Sequence, residues 1–163
     1  MPHDFIGWLH TRAAIIALIT GSMILYRMKG DLRHRRTGRV YAIAMLIICA
    51  TSFLIFRVHG GLGFLHIFAF ISTVTLLLGM APLYLKKPDN YLLWHLGWMY
   101  WSVIGLYCAF AAELFTRLPM IFDWKNSYGL FYALVGISTA LVGMVGSRRY
   151  KKLEKIWKAR YAV

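Results

Sequence analysis

The chain has 163 residues, of which 60% are hydrophobic and only 15% are charged. A soluble domain usually has about 45–50% apolar and about 25% charged residues, so this composition excludes an ordinary soluble protein. The formal net charge of +13 is not accompanied by any base-reading motif. We therefore expect no nucleic-acid partner and interpret the positive charge as a signal of membrane topology.

Five apolar segments approach the roughly 20 residues that cross the hydrocarbon core of a bilayer. They are residues 5–26, 40–56, 62–85, 91–115 and 127–147. They predict an all-α fold, a polytopic membrane helical bundle with about five transmembrane helices. Residues 1–147 would form a single helical-bundle domain. Residues 148–163 would form a basic cytoplasmic tail able to lie on the membrane as an interfacial helix.

The distribution of charge predicts the orientation of the bundle. Most of the 19 lysines and arginines lie in three segments, 27–39, 86–90 and 148–163. Positively charged segments stay on the cytoplasmic side of a membrane, and the predicted spans place all three on the same side. We therefore expect the N-terminus outside and the C-terminus inside, as an odd number of spans requires.

Four ionisable groups are predicted to lie inside the membrane near its outer face: His10, Arg12, His66 and Glu113. Residues 13–26 alone are too short to cross, so the first span must include His10. At about 1.5 Å per residue, His66 and Glu113 fall at a similar depth, within roughly 10 Å of the outer edge of the hydrocarbon. Ionisable groups at such depth usually face the protein interior or a water-filled cavity.

Two histidines and a carboxylate form a ligand set suited to zinc, with an open coordination position. We therefore predict a divalent metal, zinc or copper, bound by His10, His66 and Glu113. The alternative is a structural network in which Glu113 pairs with Arg12, or with Arg117 at i+4. His10 and Arg12 lie about 200° apart around an ideal helix, so they are not expected to point at one centre.

A second group of residues is predicted at the inner face: His34, Arg35, Arg39, Tyr41, His95 and Trp98. A histidine at each face permits a second hypothesis, a b-type haem protein that transfers electrons across the membrane. Its bis-histidine pairs would be His10–His66 and His34–His95. The simpler function of the inner basic group is to bind anionic lipid headgroups.

Glycines in the last span suggest a third class of function. Gly136 and Gly143 lie two turns apart on one stripe, which suits close helix packing. A non-catalytic accessory subunit or scaffold, in a homo-oligomer or a larger membrane complex, would use such a stripe.

Several motifs resemble a bacterial membrane family whose activity is unknown, the domain of unknown function 2306. The segment His34-Arg35-Arg36-Thr37-Gly38-Arg39-Val40-Tyr41 is similar to its "HRxxGRxY" signature. His10, His66, the pattern His95-x-x-Trp98-Met99 and the run Ala111-Ala112-Glu113-x-x-x-Arg117-x-Pro119 also fit the family.

The resemblance covers residues 5–120 and implies a multi-pass helical bundle in a bacterial cytoplasmic membrane. It implies no established activity. It marks His10, His66, His95, Glu113 and Arg117 as family positions. The chain departs from the family at residues 96 and 100, where Leu and Tyr stand in place of basic residues that are frequent in relatives.

Overall fold

The computed structural model describes residues 5–27, 29–55, 64–121 and 128–161, with side chains except at 64–65, 116–121, 128 and 131. These residues form five α-helices and no strand. The helices are α1 (Phe5–Tyr26), α2 (Leu32–Ser52), α3 (Phe64–Leu85), α4 (Tyr91–Ile121) and α5 (Tyr128–Tyr161). The prediction of an all-α helical bundle is confirmed.

Three helical segments within the described residues are long and apolar enough to cross a membrane. They are Phe5–Tyr26, His66–Leu85 and Tyr91–Phe115. Large apolar side chains are exposed on every helix, for example Ile19, Ile43, Phe70, Phe110 and Ile137. So much exposed apolar surface is unusual for a soluble monomer, and it is consistent with a membrane protein.

The first four helices form a closed bundle, and the fifth packs on its outside. Each helix contacts the next one along the chain, and α1 also contacts α4. Among the described residues, α5 packs closely along α4, and it reaches α1 through the contact of Arg149 with Tyr26. Consecutive helices run in opposite directions. We name the two ends of the bundle after a histidine at each, His10 and His34. The His10 end holds the start of α1 and the end of α4, and the His34 end holds the start of α2 and of α4.

Three helices extend further than the sequence patterns indicate. Helix α2 begins at Leu32 rather than near residue 40, because the Asp31 side chain accepts a hydrogen bond from the His34 backbone N–H and caps the first turn. Helix α4 continues to Ile121, past residue 115 where the predicted span ends. Helix α5 continues without a break through the basic tail to Tyr161.

The tail packs against the bundle through one aromatic side chain. Trp157 is buried, and its ring lies 6.2 Å from that of Tyr100 on α4. Ile156 on the neighbouring face is 59% exposed and free to contact lipid. The tail is thus the continuous last part of α5, and it packs against α4 through Trp157.

Tyr41 lies at the centre of the bundle, where α1, α2 and α4 meet. Its side chain is fully buried, and its hydroxyl is 2.9 Å from that of the equally buried Ser102 on α4. Gly21 on α1 lies against the Tyr41 ring, because an added Cβ at that glycine would be 3.0 Å from Cε2. A glycine is needed there for α1 to approach the ring closely.

Candidate functional site at the His10 end

The fold brings the predicted outer-face residues to one end of the bundle. His10 on α1 and Glu113 on α4 approach each other, with 4.0 Å between Nε2 and Oε2. The other ring nitrogen of His10, Nδ1, lies 2.9 Å from the hydroxyl of Thr51 on α2. The imidazole of His10 therefore lies between a hydroxyl group and a carboxylate, each from a different helix.

The hydrogen bonds of Thr51 favour one tautomer of His10. Thr51 Oγ1 donates its single hydrogen to the backbone carbonyls of Ile47 and Ile48, at 2.7 Å and 3.0 Å. When that hydrogen lies on the carbonyls, Thr51 Oγ1 accepts the bond from His10 and Nδ1 carries the ring proton. In the neutral imidazole, Nε2 is left with a lone pair that faces the Glu113 carboxylate. A proton or a metal cation placed between these two acceptors would relieve their repulsion.

His66 reaches the same end of the bundle on α3. Its ring centroid is 6.4 Å from that of Phe53, the residue that follows α2. Within the described residues, no three His, Cys, Asp or Glu side chains lie close enough together to hold a metal ion. The structure thus brings together two of the predicted ligands, and the metal itself stays a prediction.

Two arginines, Arg12 and Arg117, are predicted as charge partners of Glu113, and the structure describes the side chain of Arg12. The guanidinium of Arg12 lies 5.9 Å from the centroid of the Trp8 ring, on the same helix. It also lines a surface cleft with Phe5 and Leu9, and its pairing with Glu113 stays a prediction. The side chain of Arg117 lies outside the described residues.

The second predicted group lies at the His34 end of the bundle. His95 on α4 donates from Nδ1 to the backbone carbonyl of Gly79 on α3, at 2.7 Å. His34 lies in the first turn of α2, and its Nδ1 is buried without a hydrogen-bond partner among the described residues. Burial and the nearby positive charges of Lys29 and His95 lower the pKa of His34. The fold therefore brings His34 and His95 near each other.

The other members of this group are spread over different surroundings. Arg35 and Arg39 are exposed, as expected of side chains that meet lipid headgroups. Tyr41 lies in the core and takes no part in a surface site. Trp98 is half-buried on α4.

Two cations at this end were not singled out by the sequence patterns. Arg149 on α5 donates to the hydroxyl of Tyr26 at 3.2 Å, and its guanidinium lies 4.5 Å from the centroid of that ring. Lys29, which follows α1, donates to the backbone carbonyls of Ile24 and Leu25. Burial and the charge of Arg149 lower the pKa of Lys29 to about 8. The sequence gives no local signal that Lys29 and Arg149 lie near each other, because they are 120 positions apart.

Comparisons with known proteins do not add a functional assignment to this geometry. No family model, curated protein or solved structure matches the chain.

Proposed function

We propose that the chain is a five-span protein of the bacterial cytoplasmic membrane that binds a divalent metal at the His10 end of its bundle. His10 and Glu113 are the proposed ligands, with His66 as a third. The N-terminus and this site face outward in the proposed orientation, and the basic segments face the cytoplasm.

The length and composition of α5, and the composition and packing of α2, support five spans. Residues 128–147 of α5 include no Asp, Glu, Lys, Arg or His. At about 1.5 Å per residue these 20 positions extend about 30 Å, the thickness of the hydrocarbon core. Residues 40–52 of α2 are too few to cross alone, but they lack ionisable side chains other than Tyr41 and Cys49 and pack between α1 and α3, which supports placing this part of α2 in the membrane.

The approach of His10 to Glu113 is the observation that supports the metal. Two ligands of one zinc ion, each at about 2.0–2.2 Å from it, are a little closer to each other than the 4.0 Å between these atoms. A small shift of either side chain would let both bind. Thr51 holds His10 by Nδ1, and metal-binding histidines usually have their second ring nitrogen held by an outer-shell hydrogen bond.

The proposal predicts stoichiometric zinc or copper in the purified protein. Elemental analysis after metal loading and removal of excess metal should show the ion in the natural chain. His10→Ala and Glu113→Gln should both lose it, since each removes a ligand. His34→Ala, a histidine at the other end, should keep it. A natural chain that takes up neither metal would contradict the proposal.

The hydrogen bond from His10 to Thr51 gives a second prediction. Thr51→Val keeps the side-chain shape but removes the acceptor that orients the imidazole. We expect the affinity for the metal to fall about 10–100-fold, as when other outer-shell partners are lost. Isothermal titration with zinc measures this. Unchanged affinity would show that Thr51 does not orient a ligand.

A b-type haem at the His34 end is a second candidate function. The observation that favours it is the proximity of His34 to His95, whose Nδ1 is bonded to Gly79 and whose Nε2 is therefore available as a ligand. An absorption spectrum of the protein purified from haem-supplemented cells tests it. A Soret band that is lost in His95→Ala would support haem, and a spectrum without that band would exclude it.

A further inference from the structure

A cleft opens between α1 and α5 at the His34 end of the bundle. Both helices pack against α4, but their backbones are not closely packed on each other, and Arg149 on α5 reaches α1 through the Tyr26 ring at the end of the cleft. The space between them has a volume of about 380 Å³, within the range of about 300–1,000 Å³ that is typical of small-molecule sites. Neither His10 nor Glu113 lines it, so the cleft is separate from the proposed metal site.

The walls of the cleft are apolar over most of its length. Leu25 of α1, Ile104 of α4, and Leu141 and Val145 of α5 contribute to them. From Leu141 to Arg149 the cleft follows α5 for about 12 Å, at about 1.5 Å per residue. An occupant would therefore be a flexible hydrocarbon chain that lies along the helices.

Positive charge is concentrated at one end of this cleft. Arg149 lines the cleft, and Lys29 is close enough for the two like charges to oppose each other. Among the described residues, neither cation forms an ion pair with a carboxylate. Two neighbouring cations without a carboxylate partner provide a binding site for an anion, since an anion would offset their mutual repulsion.

We propose that the cleft between α1 and α5 binds one anionic phospholipid, with an acyl chain against the apolar wall and the phosphate between Arg149 and Lys29. The inference goes beyond the proposed metal site and requires only that the bundle lies in a bilayer. An arginine and a lysine at the cytoplasmic end of membrane helices are a recurrent arrangement for anionic headgroups.

Native mass spectrometry of the full chain can test this proposal with two probes, phosphatidylglycerol and phosphatidylcholine. We expect one phosphatidylglycerol per chain to be retained, in preference to phosphatidylcholine. Arg149→Gln should reduce retention of phosphatidylglycerol about tenfold, the effect of losing one charge-assisted hydrogen bond. The matched control is Arg148→Gln, because Arg148 is exposed and does not line the cleft.

A second variant tests the apolar part of the site. Val145 is 65% exposed at the cleft wall, so Val145→Trp should fill the cleft without disturbing the core, and retention of both lipids should fall. A circular dichroism spectrum confirms that each variant is folded. Three results would overturn the proposal: equal retention of the two lipids, equal losses in Arg148→Gln and Arg149→Gln, or full retention in Val145→Trp. Full retention in Val145→Trp would mean that the two cations bind the phosphate without help from the apolar wall. Added inorganic phosphate would then displace the lipid.

Discussion

Replacing Tyr41 with alanine is expected to lower the free energy of unfolding by about 3–5 kcal/mol, as for other large buried side chains. Tyr41 is fully buried where three helices meet, and it lies against Gly21 and Ser102. Removing its ring would leave a cavity that rigid helices cannot close. Reversible unfolding in mixed micelles, followed by tryptophan fluorescence, measures the change.

Two further variants separate packing from hydrogen bonding. Tyr41→Phe keeps the ring and loses only the bond to Ser102, so we expect a cost of about 0.5–1.5 kcal/mol, as for other hydrogen bonds within membranes. Tyr84→Ala removes a tyrosine that is 79% exposed near the end of α3 and should have little effect. A Tyr41→Ala protein as stable as Tyr84→Ala would show that the core does not lie around Tyr41.

The second large loss of stability is expected when Gly79 is substituted, because α3 packs on α4 there. A Cβ added there would be 2.7 Å from the Met99 sulfur and 3.2 Å from the Met99 backbone nitrogen. The sulfur could move, but the backbone nitrogen could not without displacing the helix. Gly79→Val should therefore lower the free energy of unfolding by about 3 kcal/mol, near the upper end of overpacking costs. It should also break the bond from His95 to the Gly79 carbonyl.

Gly105→Val is the matched control for this prediction. Gly105 also lies in a helix, but no described atom of another residue lies within 4 Å of its added Cβ. We expect a change within about 0.5 kcal/mol, since glycine is a poor helix former and valine fits in open space. The same unfolding assay applies to both variants. Similar losses in the two proteins would contradict the close packing at Gly79.

The sequence predicts the helices well because long apolar segments have few other structures available in a membrane. The helix ends were harder to predict. The start of α2 depends on Asp31, whose capping bond holds an arginine-rich segment in helical form. Gly30 permits the preceding turn because it adopts a positive φ of 93°. The composition changes from apolar to basic at residue 148, but no glycine or proline follows in residues 148–161 to end α5.

Segment order alone places His10, His66 and Glu113 at one end of the bundle, because consecutive spans alternate in direction. It does not give the rotation of each helix, on which side-chain distances depend. Thr51 is an example, because nothing in its neighbourhood in the sequence indicates a bond to His10. Gly79 is another example. The sequence pattern predicts close helix packing at Gly136 and Gly143, where an added Cβ would lie in open space, and not at Gly79, where α3 packs against Met99.

The metal at His10 and Glu113 is tested most directly by X-ray absorption spectroscopy at the zinc edge of the loaded protein. The proposal predicts a first shell of nitrogen and oxygen at about 2.0–2.2 Å, with the outer scattering of imidazole. His10→Ala should not retain zinc, so this spectrum should be lost in that variant. A first shell with sulfur at about 2.3 Å, or a spectrum that His10→Ala leaves unchanged, would contradict it.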